Sequence, residues 1–274
     1  LKYTLNTSSK GGSVYALYAG IVHLAIGCIL IVGLQKAIFI DVKLIGMLLA
    51  AGGLLGLSYY GYYYLMNKDS ASNVLQLASL ESVTTPLAGI FILGESFTVS
   101  SGIGVGLIVL GIIVLSIDRG VLQNLTKAVI PMVVILLLWS IDDVLLKQAL
   151  DQSGFIIAYF WSRLGLVIVL LGYPTQFSKL QTIVTYHSRQ EHALYIFALV
   201  CSSIAIYLTL YTYANLPLSI ANPIISTYPI MLLGVMYIAR KFNIAEIEPT
   251  TNLWKRFSAS ILFLSGIYIL TTAI

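Results

Sequence analysis

Charge is scarce in this chain of 274 residues: Lys and Arg number 15, Asp and Glu 11, and together they make up 9% of the sequence. A soluble domain usually carries about a quarter charged residues, so an ordinary water-facing surface is excluded. The net charge of +4 is spread over the connecting segments without a basic run, which excludes the cationic face that a nucleic-acid partner requires. The only cysteines, Cys28 and Cys201, are each centred in an apolar stretch, where a small packing residue is the expected use and neither a disulfide framework nor a thiolate metal cage is expected. Three histidines, at 23, 187 and 192, with no HExxH and no Gly-x-Ser-x-Gly, leave little chemistry for an integral membrane enzyme. No metal, no cofactor and no catalytic residue is expected.

What is abundant is apolar surface. At 58% hydrophobic residues, the chain cannot bury its apolar side chains in one soluble core. Segments of about 20 apolar residues, enough to cross a bilayer, lie near 14–34, 44–66, 74–93, 99–117, 127–146, 156–173, 193–213, 218–239 and 257–273. The fold class is therefore all-α membrane, a polytopic bundle of nine spans. It is expected in the cell membrane as a multi-pass protein with the lipid bilayer as its main partner, and as a monomer or homodimer. The longest connection, 174–192, leaves no room for a folded soluble domain. Activity must reside within the membrane.

The chain also repeats itself. Tyr60 aligns with Tyr207, Tyr64 with Tyr211, Ser72 with Ser219, Ser82 with Pro229 and, with a small shift, Gly111 with Gly266. These matches divide the chain into a first repeat, 1–120, and a second, 121–274. The second has five spans and the first four, because Leu1-Lys2-Tyr3-Thr4-Leu5-Asn6 reads like Leu146-Lys147-Gln148-Ala149-Leu150-Asp151, the end of a span that the first repeat lacks. The intact plan is expected to be five plus five. An odd number of spans per repeat inverts the second copy, the architecture of secondary transporters that alternate between two openings around a cavity between the repeats.

The run Leu77-Ala78-Ser79-Leu80-Glu81-Ser82-Val83, then Ile92-Leu93-Gly94-Glu95-Ser96-Phe97-Thr98 and Gly102 to Gly111, resembles the end of an EamA repeat, of the drug/metabolite transporter superfamily. Leu138-Trp139-Ser140 with Lys147, Arg163, and Ser226-Thr227-Tyr228-Pro229-Ile230 fit the same template in the second copy. The resemblance implies a transporter fold and export of amino acids, other metabolites or drugs. Arg240-Lys241-Phe242 stands where the second repeat often has a Gly-Glu pair.

Polar residues at membrane depth are the candidate site, since an ionised group at a bilayer centre costs about 2.5–3.5 kcal/mol on insertion scales. Glu81 is read as a substrate-amine or proton site, or else as a neutral interhelical contact. Arg163 cannot shed its charge; it is read as the partner of a substrate carboxylate, or of Asp142, Asp143 or Glu81. His23 is a candidate for proton coupling, with a hydrogen-bonded packing role as the plain alternative. Asp142 is a candidate cavity group one turn after Trp139, whereas Asp143 has Lys147 four residues on and reads as structural. Pro86 and Pro229 interrupt spans at matching places in the two copies, a pointer to a transport site, and bring Ser82, Thr85, Asn222 and Tyr228 into consideration. Tyr60 and Tyr207 read as an aromatic wall suited to flat or cationic substrates, and Tyr62, Tyr63 and Tyr64 as an interfacial belt. The GxxxG pair Gly102 and Gly106 reads as helix packing. The reading is a transporter of small-molecule substrates; the alternatives are a membrane scaffold or helper protein and, less favoured, the enzyme.

Arg163 aside, the cations fall on two sides: Lys36, Lys43 and Lys147 on one and eleven, including Lys10 and Lys68, on the other. The positive-inside rule puts the larger group in the cytoplasm, opposite to the family's usual orientation. The charge count predicts that, in a background lacking Cys28 and Cys201, an impermeant thiol reagent labels Lys36→Cys but not Lys10→Cys from outside the cell. Labelling of Lys10→Cys alone would reverse the orientation.

Overall fold

The computed structural model describes residues 12–68, 74, 77–78, 80–96, 98–116, 121–172, 189–225 and 253–272. Every element among them is an α-helix, in the order α1 Gly12–Gly33, α2 Val42–Lys68, α3 Glu81–Leu93, α4 Val99–Ser116, α5 Val121–Ser153, α6 Phe155–Leu171, α7 Arg189–Asn215, α8 Leu218–Ile225 and α9 Leu253–Thr272. Helix is what a backbone in lipid must adopt, because only a helix satisfies its own N–H and C=O groups without water. Ala16–Gly33, Val42–Met66 and Ile196–Asn215 are long and apolar enough to cross a membrane, and Glu81–Leu93, Val99–Gly111, Phe155–Leu171 and Ser258–Leu270 are shorter apolar helices. The chain is an all-helical polytopic membrane protein.

The chain divides into two compact units, residues 1–69 with 137–216 and residues 70–136 with 217–274. Each unit therefore takes helices from both ends of the sequence. In the first unit α6 packs against α1 and α2, and α7 against α1 and α6. The α2–α6 crossing is made by glycine. A methyl group on Gly52 would lie 1.7 Å from the Ser162 carbonyl oxygen, and one on Gly165 would lie 2.3 Å from that of Leu49. Only hydrogen on both sides allows the two backbones to touch. Gly20 of α1 faces Leu166, Val167 and Leu170, while Gly27 faces Tyr159 and Phe160, so α1 and α6 run antiparallel. Ala16, Leu17, Tyr63, Leu166, Val167 and Leu170 fill the space between these helices. Tyr63 is thus a core residue rather than part of an interfacial belt.

In the second unit α4 packs on α9, and α3 on α8. A methyl on Gly104 would meet Leu270 at 2.7 Å and the Gly266 carbonyl oxygen at 2.9 Å, and Gly111 faces Ala259 and Phe263. Those contacts run in opposite directions along the two helices, so this pair is antiparallel too. Ile108, Ala259, Phe263 and Leu270 are fully buried between them. The contact face is Gly104, Ile108 and Gly111, spaced as one side of a helix. Gly106 has nothing within 4 Å of an added methyl, so the expected Gly102/Gly106 motif is offset by two residues from the face that packs. Cys28 and Cys201 are free and exposed on their helices, not packed inside as expected.

Pro86 lies within α3 and does not end it. The helix starts five residues earlier, at Glu81, after a turn at Leu80, which places the Glu81 carboxylate in its first turn, where the helix dipole favours negative charge. At the other end Gly94, with φ of +70°, takes the left-handed conformation that glycine adopts without steric cost.

Gly52→Val and Gly165→Val each force apart backbones in contact and are expected to lower stability by about 1–3 kcal/mol or more. Gly46→Val, on the same helix as Gly52 but with open space around it, is expected to change little. Thermal unfolding in detergent, followed by size-exclusion chromatography, measures both; equal losses in all three variants would contradict the crossing.

Candidate functional site

Between the helices of the first unit lies a buried polar cluster. His23 comes from α1, Asp142 and Asp143 from the second half of α5, Tyr159 and Arg163 from α6, and Ser203 from α7. His23, Asp142, Asp143, Arg163 and Ser203 are each less than a tenth exposed, and Tyr159 is 1% exposed. Tyr159 and Arg163 are one helical turn apart, which puts them on the same face of α6.

Three side chains share hydrogen bonds at the centre of the cluster. Ser203 Oγ donates to the Leu199 carbonyl at 3.0 Å and accepts from the Tyr159 hydroxyl at 3.2 Å. His23 Nδ1 lies 2.6 Å from Ser203 Oγ and 3.3 Å from Tyr159 Oη, and the tautomer decides which of these atoms donates.

Arg163 is the cluster's permanent positive charge. Its guanidinium carbon is 5.8 Å from the centroid of the Tyr159 ring, an arrangement in which a cation is attracted to the ring face. Its charge acts on Asp142, His23 and Tyr159, and Asp142 also feels the charge of Asp143. Yet Arg163 Nε has no acceptor. Among the described residues it is the buried side-chain polar atom left unsatisfied, and leaving such a donor unpaired costs roughly 1–3 kcal/mol.

Trp139 and Tyr60 flank the cluster in the same unit, both engaged. Trp139 Nε1 donates to Ser58 Oγ at 2.7 Å and its ring lies 5.5 Å from that of Tyr62. The Tyr60 hydroxyl donates to the Leu170 carbonyl at 3.2 Å. Tyr207 is partly exposed on α7, and with Tyr211 it brackets the Phe155 ring, each centroid 5.9 Å away. The two tyrosine pairs therefore serve different ends: Tyr60 packs inward and Tyr64 is exposed, while Tyr207 and Tyr211 hold Phe155. Lys147 donates Nζ to the Tyr213 carbonyl and lies 3.9 Å from Asp151, four residues further along α5.

The second unit holds the other candidates. Glu81 opens α3, with Ser82 and Thr85 fully buried behind it, and Asn222 is 2% exposed on α8. Tyr228 and Pro229 lie outside the described residues. Sequence reasoning picked out His23, Asp142 and Arg163 but missed Tyr159 and Ser203. The four-residue spacing of Tyr159 and Arg163 was a usable signal; nothing in the sequence ties Ser203 to His23, 180 positions away.

No curated protein matches this chain. A solved crystal structure, described only as that of a protein, superposes with a TM-score of 0.71 over 98% of this chain and 90% of that one at 13% identity. A likeness at that identity shows the fold alone. The model of the EamA-like transporter family matches residues 7–117. Over that stretch, less than half of its length, the chain is similar to the EamA-like transporter family.

Proposed function

We propose that the protein is a secondary transporter, an exporter of small metabolites or drugs in the cell membrane, working by alternating access, and that Arg163 is its principal substrate contact. The observation that carries the reading is the buried, permanently charged guanidinium with an unsatisfied Nε–H. A substrate carboxylate, phosphate or carbonyl meets that donor as a charge-assisted hydrogen bond, and a desolvated site strengthens it. Asp142 offers a carboxyl group to a substrate amine. Tyr159 offers a ring face, and Trp139 and Tyr60 brace the wall. Within the second unit Glu81 and Asn222 are the polar groups offered to a substrate, and Glu81 and His23 are the two groups proposed for proton coupling.

Two features support an inverted-repeat plan with copies 1–120 and 121–274. Corresponding helices pair with each other, α1 with α6 and α4 with α9, and both pairs run antiparallel, as inverted copies require.

The test is counterflow in proteoliposomes with two probes, labelled amino acids and the dye ethidium. At least one probe is expected to exchange in the wild type. Arg163→Gln is expected to lower that rate about tenfold or more, the loss of roughly 1.4 kcal/mol of contact, with Arg163→Lys intermediate because it keeps the charge but not the planar fork. A wild-type rate in an Arg163→Gln, Glu81→Gln double variant would remove both residues from the site.

A further inference from the structure

Glu95, which follows α3, makes polar contacts both with its own helix end and with α8. The left-handed Gly94 ends α3, and the Glu95 N–H returns to the Gly89 carbonyl at 3.3 Å, a helix-end turn that points the chain back along α3. The Glu95 carboxylate then reaches a helix 123 positions away in sequence. Its Oε1 accepts from the Leu218 N–H at 2.7 Å and its Oε2 from the Ser219 N–H at 2.8 Å.

These are the first two N–H groups of α8, donors with no partner inside the helix. The next two, of Ile220 and Ala221, donate to the Pro217 carbonyl at 3.0 and 2.8 Å. All four orphan donors of the helix start are thereby satisfied, two of them by one side chain. Leu218 and Ser219 are at most 1% exposed, so water cannot replace that carboxylate. Within α8, Pro223 contributes no N–H, so one bond of the helix's own ladder is missing close to its start. Gly89 completes the fit: a methyl there would lie 2.7 Å from Glu95 Oε2 and 3.2 Å from Leu218 Cβ.

We propose that Glu95 is a positioning residue for the transport site: its bidentate cap fixes α8 against the α3–α4 turn and so sets the place of Asn222, one turn into α8. This rests on the transporter reading for Asn222 but not for the cap. A carboxylate is required because it has two acceptor oxygens in one plane. Glutamine has one, and aspartate is a methylene too short to reach from the same backbone.

Hydrogen exchange by mass spectrometry tests the cap without any substrate. In Glu95→Gln the amides of 216–225 are expected to exchange about tenfold faster, as for loss of one charge-assisted bond, and faster still in Glu95→Ala, while α6 is unchanged. Unchanged exchange at 216–225 overturns the cap. The positioning role is read by a double-mutant cycle on the KM for whichever counterflow probe exchanges: Glu95→Gln and Asn222→Ala are expected to be non-additive, each raising KM and the pair raising it little further. Additive effects overturn the role. Absence of exchange of every probe by the wild type would sink the transporter reading, and the role with it, while leaving the exchange result for the cap standing.

Discussion

The backbone contact between α2 and α6 is the constraint on which the first unit depends. Gly52 meets the carbonyl of Ser162, and Gly165 meets that of Leu49; Arg163 lies between these two α6 positions. Lipid tails offer no hydrophobic drive for helices to associate, so the closeness of approach that glycine allows is itself the attraction, through dispersion across a tight contact. That contact carries a permanently charged side chain into the interior of the unit. With a bulkier residue at either glycine, α6 would stand off and its guanidinium would have a path to the headgroups by extending its stem.

Burial then shapes the chemistry. Tyr159, Ser203 and His23 exchange hydrogen bonds among themselves, whereas the Arg163 Nε–H has no acceptor. In the proposed site a hydrogen-bonded wall thus stands next to a donor that a ligand can meet. In the second unit a carboxylate does the same for backbone: Glu95 satisfies the first two N–H groups of α8.

Much of the architecture was legible from the sequence. Long apolar windows announced the helices, because that signal survives divergence as a pattern rather than as identities. Glycine packing was legible in kind but not in phase: Gly102 and Gly106 satisfy the motif, yet Gly104 and Gly111 make the contact, since spacing alone does not say which face a neighbour occupies. His23, Asp142 and Arg163 were found because ionisable groups in apolar runs stand out. Ser203 and Tyr159 did not, being ordinary residues in membrane helices whose meaning comes from a partner far away in sequence. Pro86 pointed to the right span but the wrong residue, because the helix begins at Glu81 and accommodates the proline in its second turn.

The central claim, that the unpaired Nε–H of Arg163 is where substrate binds, is open to direct observation. With the protein labelled with nitrogen-15 at arginine and held in nanodiscs, the Arg163 Nε resonance, assigned by its loss in Arg163→Lys, can be followed by NMR as a transported probe is added. The account predicts a downfield shift that saturates with probe concentration, as expected for a new charge-assisted hydrogen bond. A resonance that stays fixed while the probe is demonstrably transported would contradict it.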